Sequence, residues 1–299
     1  MFRNFFLSRM GGMVGPLLRW LRPSPIVEGG AGLNGGGREA AAAGNAAVAS
    51  SAAADYIELM KKCLINSIYR DSGRVPPGIV VPFSPNVREE GRDWPEAAHT
   101  MVGRRRLDNV HRCVEDVLAR AVPGDLIETG VWRGGTTILM RAILRARADA
   151  TRTVWVADSF EGVPPPDTAR YPADAGLDLH RYQQLSIPIE EVRANFEAYG
   201  LLDDQVRFLK GWFKDTLLSA PIKQLALIRL DGDLYESTFD ALSALYPRLS
   251  TGGYVIIDDY GAMEACRQAV HDYRDRHEIE EEIVPIDWAG VFWKKDPTP

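Results

Sequence analysis

The chain of 299 residues has no apolar run approaching the roughly 20 residues needed to cross a bilayer, so no transmembrane segment is expected. Cysteine is scarce. Cys63, Cys113 and Cys266 are far apart and odd in number, which leaves no disulfide framework or zinc pattern and fits a reducing, cytoplasmic setting. Basic charge is not in surplus either: the net charge is −6, which argues against a nucleic-acid partner and in favour of a small molecule. The sequence also lacks G-x-G-x-x-G, which counts against NAD or FAD, and has no Tyr-x-x-x-Lys near a strand end, as a sugar dehydratase or epimerase would need.

What is present divides into three parts. Residues 1–54 open with a basic amphipathic stretch, Met1 to Pro23, in which Arg3, Arg9, Arg19 and Arg22 lie among Phe2, Phe5, Phe6, Leu17, Leu18 and Trp20 without an acid. It reads as a dispensable extension, with organelle targeting or membrane-surface contact as alternatives. Val27 to Ala54 is nearly all Gly, Ala, Ser and Asn and reads as a flexible linker. Residues 55–124 form an expected helical layer. Ile57, Met60, Leu64 and Ile68 fall at helical spacing, as do Val110, Val114, Val117 and Leu118, with a Pro-rich stretch, Val75 to Pro95, between them. Arg104, Arg105 and Arg106 read as a solvated helix start, with contact to an anionic ligand as the alternative. Residues 125–299 form the main domain.

That domain alternates short β-rich runs with helical ones: Leu126 to Thr129, Thr153 to Ala157, Val206 to Leu209, Leu225 to Leu230 and Tyr254 to Ile257. Ile283 to Ile286 and Val291 to Trp293 are too close together for a crossover helix and should form a hairpin. The expectation is an α/β fold with a seven-stranded, mostly parallel sheet, one antiparallel edge strand and helices on both faces. Ligands then belong at the carboxyl ends of the strands.

Four acids stand at two of those ends, Asp231 and Asp233 after Leu230, and Asp258 and Asp259 after Ile257. Carboxylates cannot be crowded and desolvated without a neutraliser. A bound divalent cation is the simplest one, and hard oxygen donors without His or Cys point to Mg²⁺, Mn²⁺ or Ca²⁺. The alternative is a turn opened by Asp231 and a helix capped by Asp259, which accounts for two acids and not four.

Glu128-Thr129-Gly130-Val131-Trp132-Arg133-Gly134-Gly135-Thr136 joins the first of these strands to its helix. Gly130 and Gly134 let backbone approach a ligand, and the helix start at Thr136 offers N–H groups to a carboxylate. Glu128 would repel a pyrophosphate but suits an ammonium group. Asp158, followed by Ser159, closes the second strand where an acid takes ribose hydroxyls. Together these features describe S-adenosylmethionine; a helix cap is the alternative for Asp158.

The chain resembles the metal-dependent macrocin-type (TylF-type) O-methyltransferases from about Asp55 to its C-terminus. The resemblance is carried by Val122 to Gly135, Asp158-Ser159-Phe160-Glu161-Gly162-Val163-Pro164, Gly211-Trp212-Phe213-Lys214-Asp215-Thr216-Leu217, Arg229 to Thr238, and Ile257-Asp258-Asp259-Tyr260. It implies a Rossmann-like, class I S-adenosylmethionine-dependent fold and methyl transfer to a hydroxyl of a sugar-bearing small molecule. It further implies Mg²⁺ or Mn²⁺ on Asp231, Asp258 and Asp259, with Asp233 as general base. Asp231 would also border the cofactor, as would Trp132, and Gly211 and Trp212 would border its adenine. Some members place a His just after the first metal Asp, where this chain has Leu234. Pro164 to Pro188, with Tyr171, His180 and Tyr182, would be the counterpart of the family's mobile lid. A catechol-type O-methyltransferase and a non-catalytic S-adenosylmethionine-binding scaffold are the rival readings. His271 and His277 read as surface or core residues. The sequence is compatible with a homo-oligomer and names neither the acceptor nor the hydroxyl.

Overall fold

A computed structural model describes residues 51–75 and 78–297. The amphipathic segment and nearly all of the Gly/Ala-rich linker lie outside the described residues. Helix α1, residues 51–64, starts a turn ahead of Asp55 and buries Ile57, Met60 and Leu64. The Pro-rich stretch that follows is not a plain connection. It builds a small antiparallel sheet of β1 (Gly73–Val75), β2 (Ile79–Val81) and β3 (Trp94–Pro95), with the short helix α2 (Pro85–Glu89) between the last two. Arg88 is buried there and donates to Asp71 and Asp93, so the layer has an ionic as well as an apolar core. Helix α3 (Arg104–Ala119) lays Leu107, Val110, Val114 and Val117 against the main sheet.

The main sheet has seven strands: β4 (Asp125–Thr129), β5 (Val154–Asp158), β6 (Val206–Lys210), β7 (Leu225–Leu230), β8 (Leu249–Ile257), β9 (Val284–Pro285) and β10 (Val291–Lys294). Their order is β6-β5-β4-β7-β8-β10-β9, parallel from β6 to β8. The hairpin β9–β10 forms as expected. The antiparallel strand is not at the edge, however: β10 pairs with β8 and β9, and the two-residue β9 covers it. So short an outer strand leaves little unpaired edge for another chain to add to.

Alternation along the strands assigns their two faces. Leu126, Val154 and Val156 enter the core under α3, α4 (Gly135–Ala146) and α5 (Ile189–Ala198). Ile127, Trp155 and Ala157 enter the core under α7 (Tyr235–Leu245) and α8 (Glu264–Arg276). Fully burying each such aliphatic side chain contributes about 1.5–3 kcal/mol. The chain leaves β4 towards β5 and β6 on one side and towards β7 and β8 on the other, so the order reverses between β4 and β7. A crevice opens at such a switch point. Among the described residues no helix is long and apolar enough to cross a membrane.

Candidate active site

Above the carboxyl ends of these strands lies a cavity of about 440 Å³. Glu128, Gly130, Trp132, Thr136, Asp158, Ser159, Trp212, Asp231, Asp233, Asp258 and Asp259 all line it, so eleven of the thirteen residues singled out from the sequence meet there. Gly134 and Gly211 do not. At Gly134 (φ +84°) a Cβ would press on Val192 of α5, so glycine serves the turn and helix packing rather than a ligand. At Gly211 (φ +136°) it would meet the Thr216 side chain, in the short helix α6 (Phe213–Thr216).

The turn after β4 is held by the protein itself. Asp158 accepts the Val131 N–H at 2.7 Å through Oδ2 and the Phe160 N–H at 2.7 Å through Oδ1. Burial raises its pKa. The Gly135 N–H, expected to be free at the start of α4, is taken by the His99 carbonyl at 2.9 Å. Gly130 (φ +80°) is needed because a Cβ there would collide with the Asp231 carbonyl oxygen, where β4 and β7 part.

Arg229 makes the largest change to the sequence reading. Register sets it opposite Glu128 on β4 and Ile256 on β8, with no exposed surface. Its guanidinium donates to Glu128 Oε1, to Asp231 Oδ2 at 2.9 Å and to Asp258 Oδ1. Arg106, expected to be solvated, is buried as well and donates to Asp258 Oδ2 and, at 3.0 Å, to Asp287 Oδ2. Part of the neutralisation assigned to a cation is thus done by two arginines, and each Asp258 oxygen already has a donor. The sequence signal for Arg229 is a charge inside the otherwise apolar run Leu225 to Leu230. Arg106 carries no such signal, since three consecutive arginines read as surface.

The acids still outnumber these cations. Donor oxygens of Asp231, Asp258 and Asp259 all lie within 4.8 Å of one another. Asp233 and Asp259 have no ion-pair partner among the described residues, and the Asp233 N–H donates to Asp259 Oδ2 at 3.1 Å. Asp233 is half-buried on the cavity wall, and burial plus the charges of Asp231 and Asp258 push its carboxyl up to about 7. Burial, then Asp233 and Asp231, raise Asp259 well above the usual range. Asp233 also has φ +59°, a strained setting for a non-glycine residue. Burial drives Glu128 up to about 8 against the pull of Arg229, and its Oε2 has no hydrogen-bond partner among the described residues.

Sheet order lays the cavity out along one line. Trp132, Asp158 and Trp212 stand over β4 to β6, the acids over β7 and β8, and Trp288, on the β9–β10 loop, beyond them. Lys214 and Glu236, which the sequence reading left without a role, pair at 3.2 Å on its wall. His271 and His277 do not line it.

Residues 53–295 match the Macrocin-O-methyltransferase (TylF) family. The chain belongs to that family. Family membership makes it an S-adenosylmethionine-dependent O-methyltransferase, and the fold is the class I methyltransferase fold. It is 61% identical over 242 residues, 80% of this chain and 92% of the relative, to 8-demethyl-8-(2,3-dimethoxy-alpha-L-rhamnosyl)-tetracenomycin-C 4'-O-methyltransferase of Streptomyces olivaceus. It is 53% identical over 248 residues, 80% of this chain and 93% of the relative, to demethyldecarbamoylnovobiocin O-methyltransferase of Streptomyces niveus. Among solved structures the O-methyltransferase NovP matches with a TM-score of 0.78 and 52% identity, covering 82% of this chain and all of that one.

Proposed function

We propose that this O-methyltransferase acts on a sugar hydroxyl of a glycosylated natural product, with Asp231, Asp258 and Asp259 holding Mg²⁺ or Mn²⁺ and Asp233 serving as general base. The reading is carried by the convergence of five carboxyls from three strand ends on one cavity, where two arginines leave Asp233 and Asp259 uncompensated. The rhamnosyl group in the name of the tetracenomycin relative supports a sugar-bearing acceptor.

The residues suit both the cofactor and the cation. Glu128, a lining residue whose Oε2 has no hydrogen-bond partner among the described residues, fits an ammonium group, and Asp158 with Ser159 and Trp212 fits the ribose and adenine end. The clustered oxygens of Asp231, Asp258 and Asp259 fit a hard cation; each carboxylate oxygen has a second lone pair beyond the one an arginine takes. When bound, S-adenosylmethionine supplies the electrophilic methyl and the cation supplies Lewis acidity that makes a hydroxyl more acidic. The protein's task is otherwise to orient. Asp233 takes the hydroxyl proton on its carboxylate, a contribution of about 10²–10⁴ in rate. Its strained turn is held by the N–H bond to Asp259, so the base and the acidic cluster keep a fixed geometry.

Asp233→Asn and Asp258→Ala test this division of labour by Mn²⁺ titration and single-turnover methyl transfer to a rhamnosylated acceptor. Asp233→Asn should bind metal and cofactor as before and lose about 10²-fold or more in turnover, unrelieved by high Mg²⁺. Asp258→Ala should bind metal weakly and regain activity as Mg²⁺ rises. Full turnover in Asp233→Asn, or its restoration by metal, rejects Asp233 as the base.

A further inference from the structure

The segment from Pro164 to Pro188 forms one wall of the cavity, to which it contributes Leu179 and Leu185. Its own structure is three short 3₁₀ turns, Pro172–Asp174, Leu179–Arg181 and Gln183–Leu185, too little to hold it in place. What fastens it is visible at Asp174. This carboxylate has no exposed surface, and no cationic side chain pairs with it among the described residues. Both its oxygens accept backbone N–H groups at the start of α7, Oδ1 from Tyr235 at 2.6 Å and Oδ2 from Glu236 at 3.2 Å.

Helix α7 needs that help. Its N-cap residue is Leu234, which has no side-chain oxygen to offer the first N–H groups. Asp174 therefore caps, from 61 residues upstream, a helix whose first turn immediately follows the strained loop carrying Asp233. The contact is reinforced by Tyr171 on Tyr235, with ring centres 5.6 Å apart. At the far end of the segment Trp132 donates to the Gln184 carbonyl at 2.8 Å, and Tyr182 meets Trp94 edge-on at 5.4 Å.

We infer that Asp174 is a positioning residue that holds the 164–188 segment shut over the cavity by capping α7 from a distant part of the same chain, so that closing the cavity and completing the helix are one event. When the segment lifts, α7 loses its only side-chain cap among the described residues, and the loop that bears Asp233 loses its anchor on the helix side. The consequence for catalysis rests on the proposed role of Asp233; the closure itself does not.

Trypsin provides the test, since Arg170 and Arg181 lie exposed in the segment on either side of Asp174. Cleavage follows the population of the open form when opening is fast compared with cutting. With the full chain and no ligand, Asp174→Ala should be cut at these two sites about threefold to thirtyfold faster than the wild type, the span expected for a lost N-cap. Asp174→Asn, which keeps one acceptor oxygen for the Tyr235 N–H and loses the one for Glu236, should return part of the protection. Cleavage at these sites no faster than in the wild type overturns the inference, and so does acceleration spread evenly over the chain, which would mark global loosening. Failure of Asp174→Asn to restore protection would also overturn it, because capping would then not be the cause. No arm uses methyl transfer, so the result stands or falls separately from the assignment of Asp233.

Discussion

Replacing Arg229 with Met should cost far more stability than an ordinary core substitution. The guanidinium is fully buried and serves Glu128, Asp231 and Asp258, whose side chains are 2%, 26% and 5% exposed. Methionine fills much of the volume but leaves Glu128 with no cation and Asp258 with only Arg106. Breaking a buried ion pair by removing one partner costs about 3–5 kcal/mol, because the other charge stays desolvated. The share from Asp231 is smaller, since the cavity partly solvates it. For a domain of this size about 2–4 °C of midpoint accompanies each kcal/mol, so the melting midpoint should fall by about 6–20 °C. The assay is thermal unfolding followed by circular dichroism in chelator, repeated by urea titration. Glu128→Gln alone should cost less, since Arg229 keeps two carboxylates. The double variant should lose less than the sum, because the same contact is removed twice. A loss in Arg229→Met below about 1 kcal/mol, within the range of an exposed pair, would refute the reasoning and mean that the acids discharge without strain.

Three further outcomes are expected. Glu128→Gln and Asp158→Ala should each weaken binding of S-adenosylhomocysteine about tenfold to a hundredfold by calorimetry, the range of a lost charge-assisted hydrogen bond, and unchanged affinity in both would overturn their assignment. Gly130→Ala combines a positive φ with a collision against the Asp231 carbonyl, so a stability loss of at least about 2 kcal/mol is expected by urea titration. The third concerns pH: burial and then Arg133 hold the His99 imidazole below its usual value, with Nδ1 2.7 Å from the Tyr199 hydroxyl. The unfolded chain protonates His99 near pH ~6.5 and the folded one only at lower pH, so this contribution is complete above ~6.5 and lost as pH falls towards the folded value. His99→Gln should therefore show a smaller drop in melting midpoint between pH 7.5 and pH 5 than the wild type.

Much of the fold and half of the site's logic are local and so were legible in the chain. Strands of alternating or continuous apolar residues, the Gly130 turn and acids placed after Leu230 and Ile257 need only nearest-neighbour chemistry to be read, and they led to the sheet, the crevice and most of the eleven lining residues, with Trp132 and Trp212 added by the family resemblance alone. The remainder depends on which distant residues the fold makes neighbours. That Arg229 faces Glu128 follows from the register of β4 on β7, and that Arg106 reaches Asp258 follows from how α3 lies on the sheet, so a run of three arginines could be read as surface. Asp174 looks like any loop acid until the fold brings it to a helix that lacks its own cap. The inward position of β10 was likewise undecided by a hairpin pattern, which says that two strands pair but not which of them meets β8. Local propensity is written residue by residue, whereas neutralisation of buried charge and satisfaction of helix ends are settled between segments by packing, and those are the features that only the tertiary structure decided.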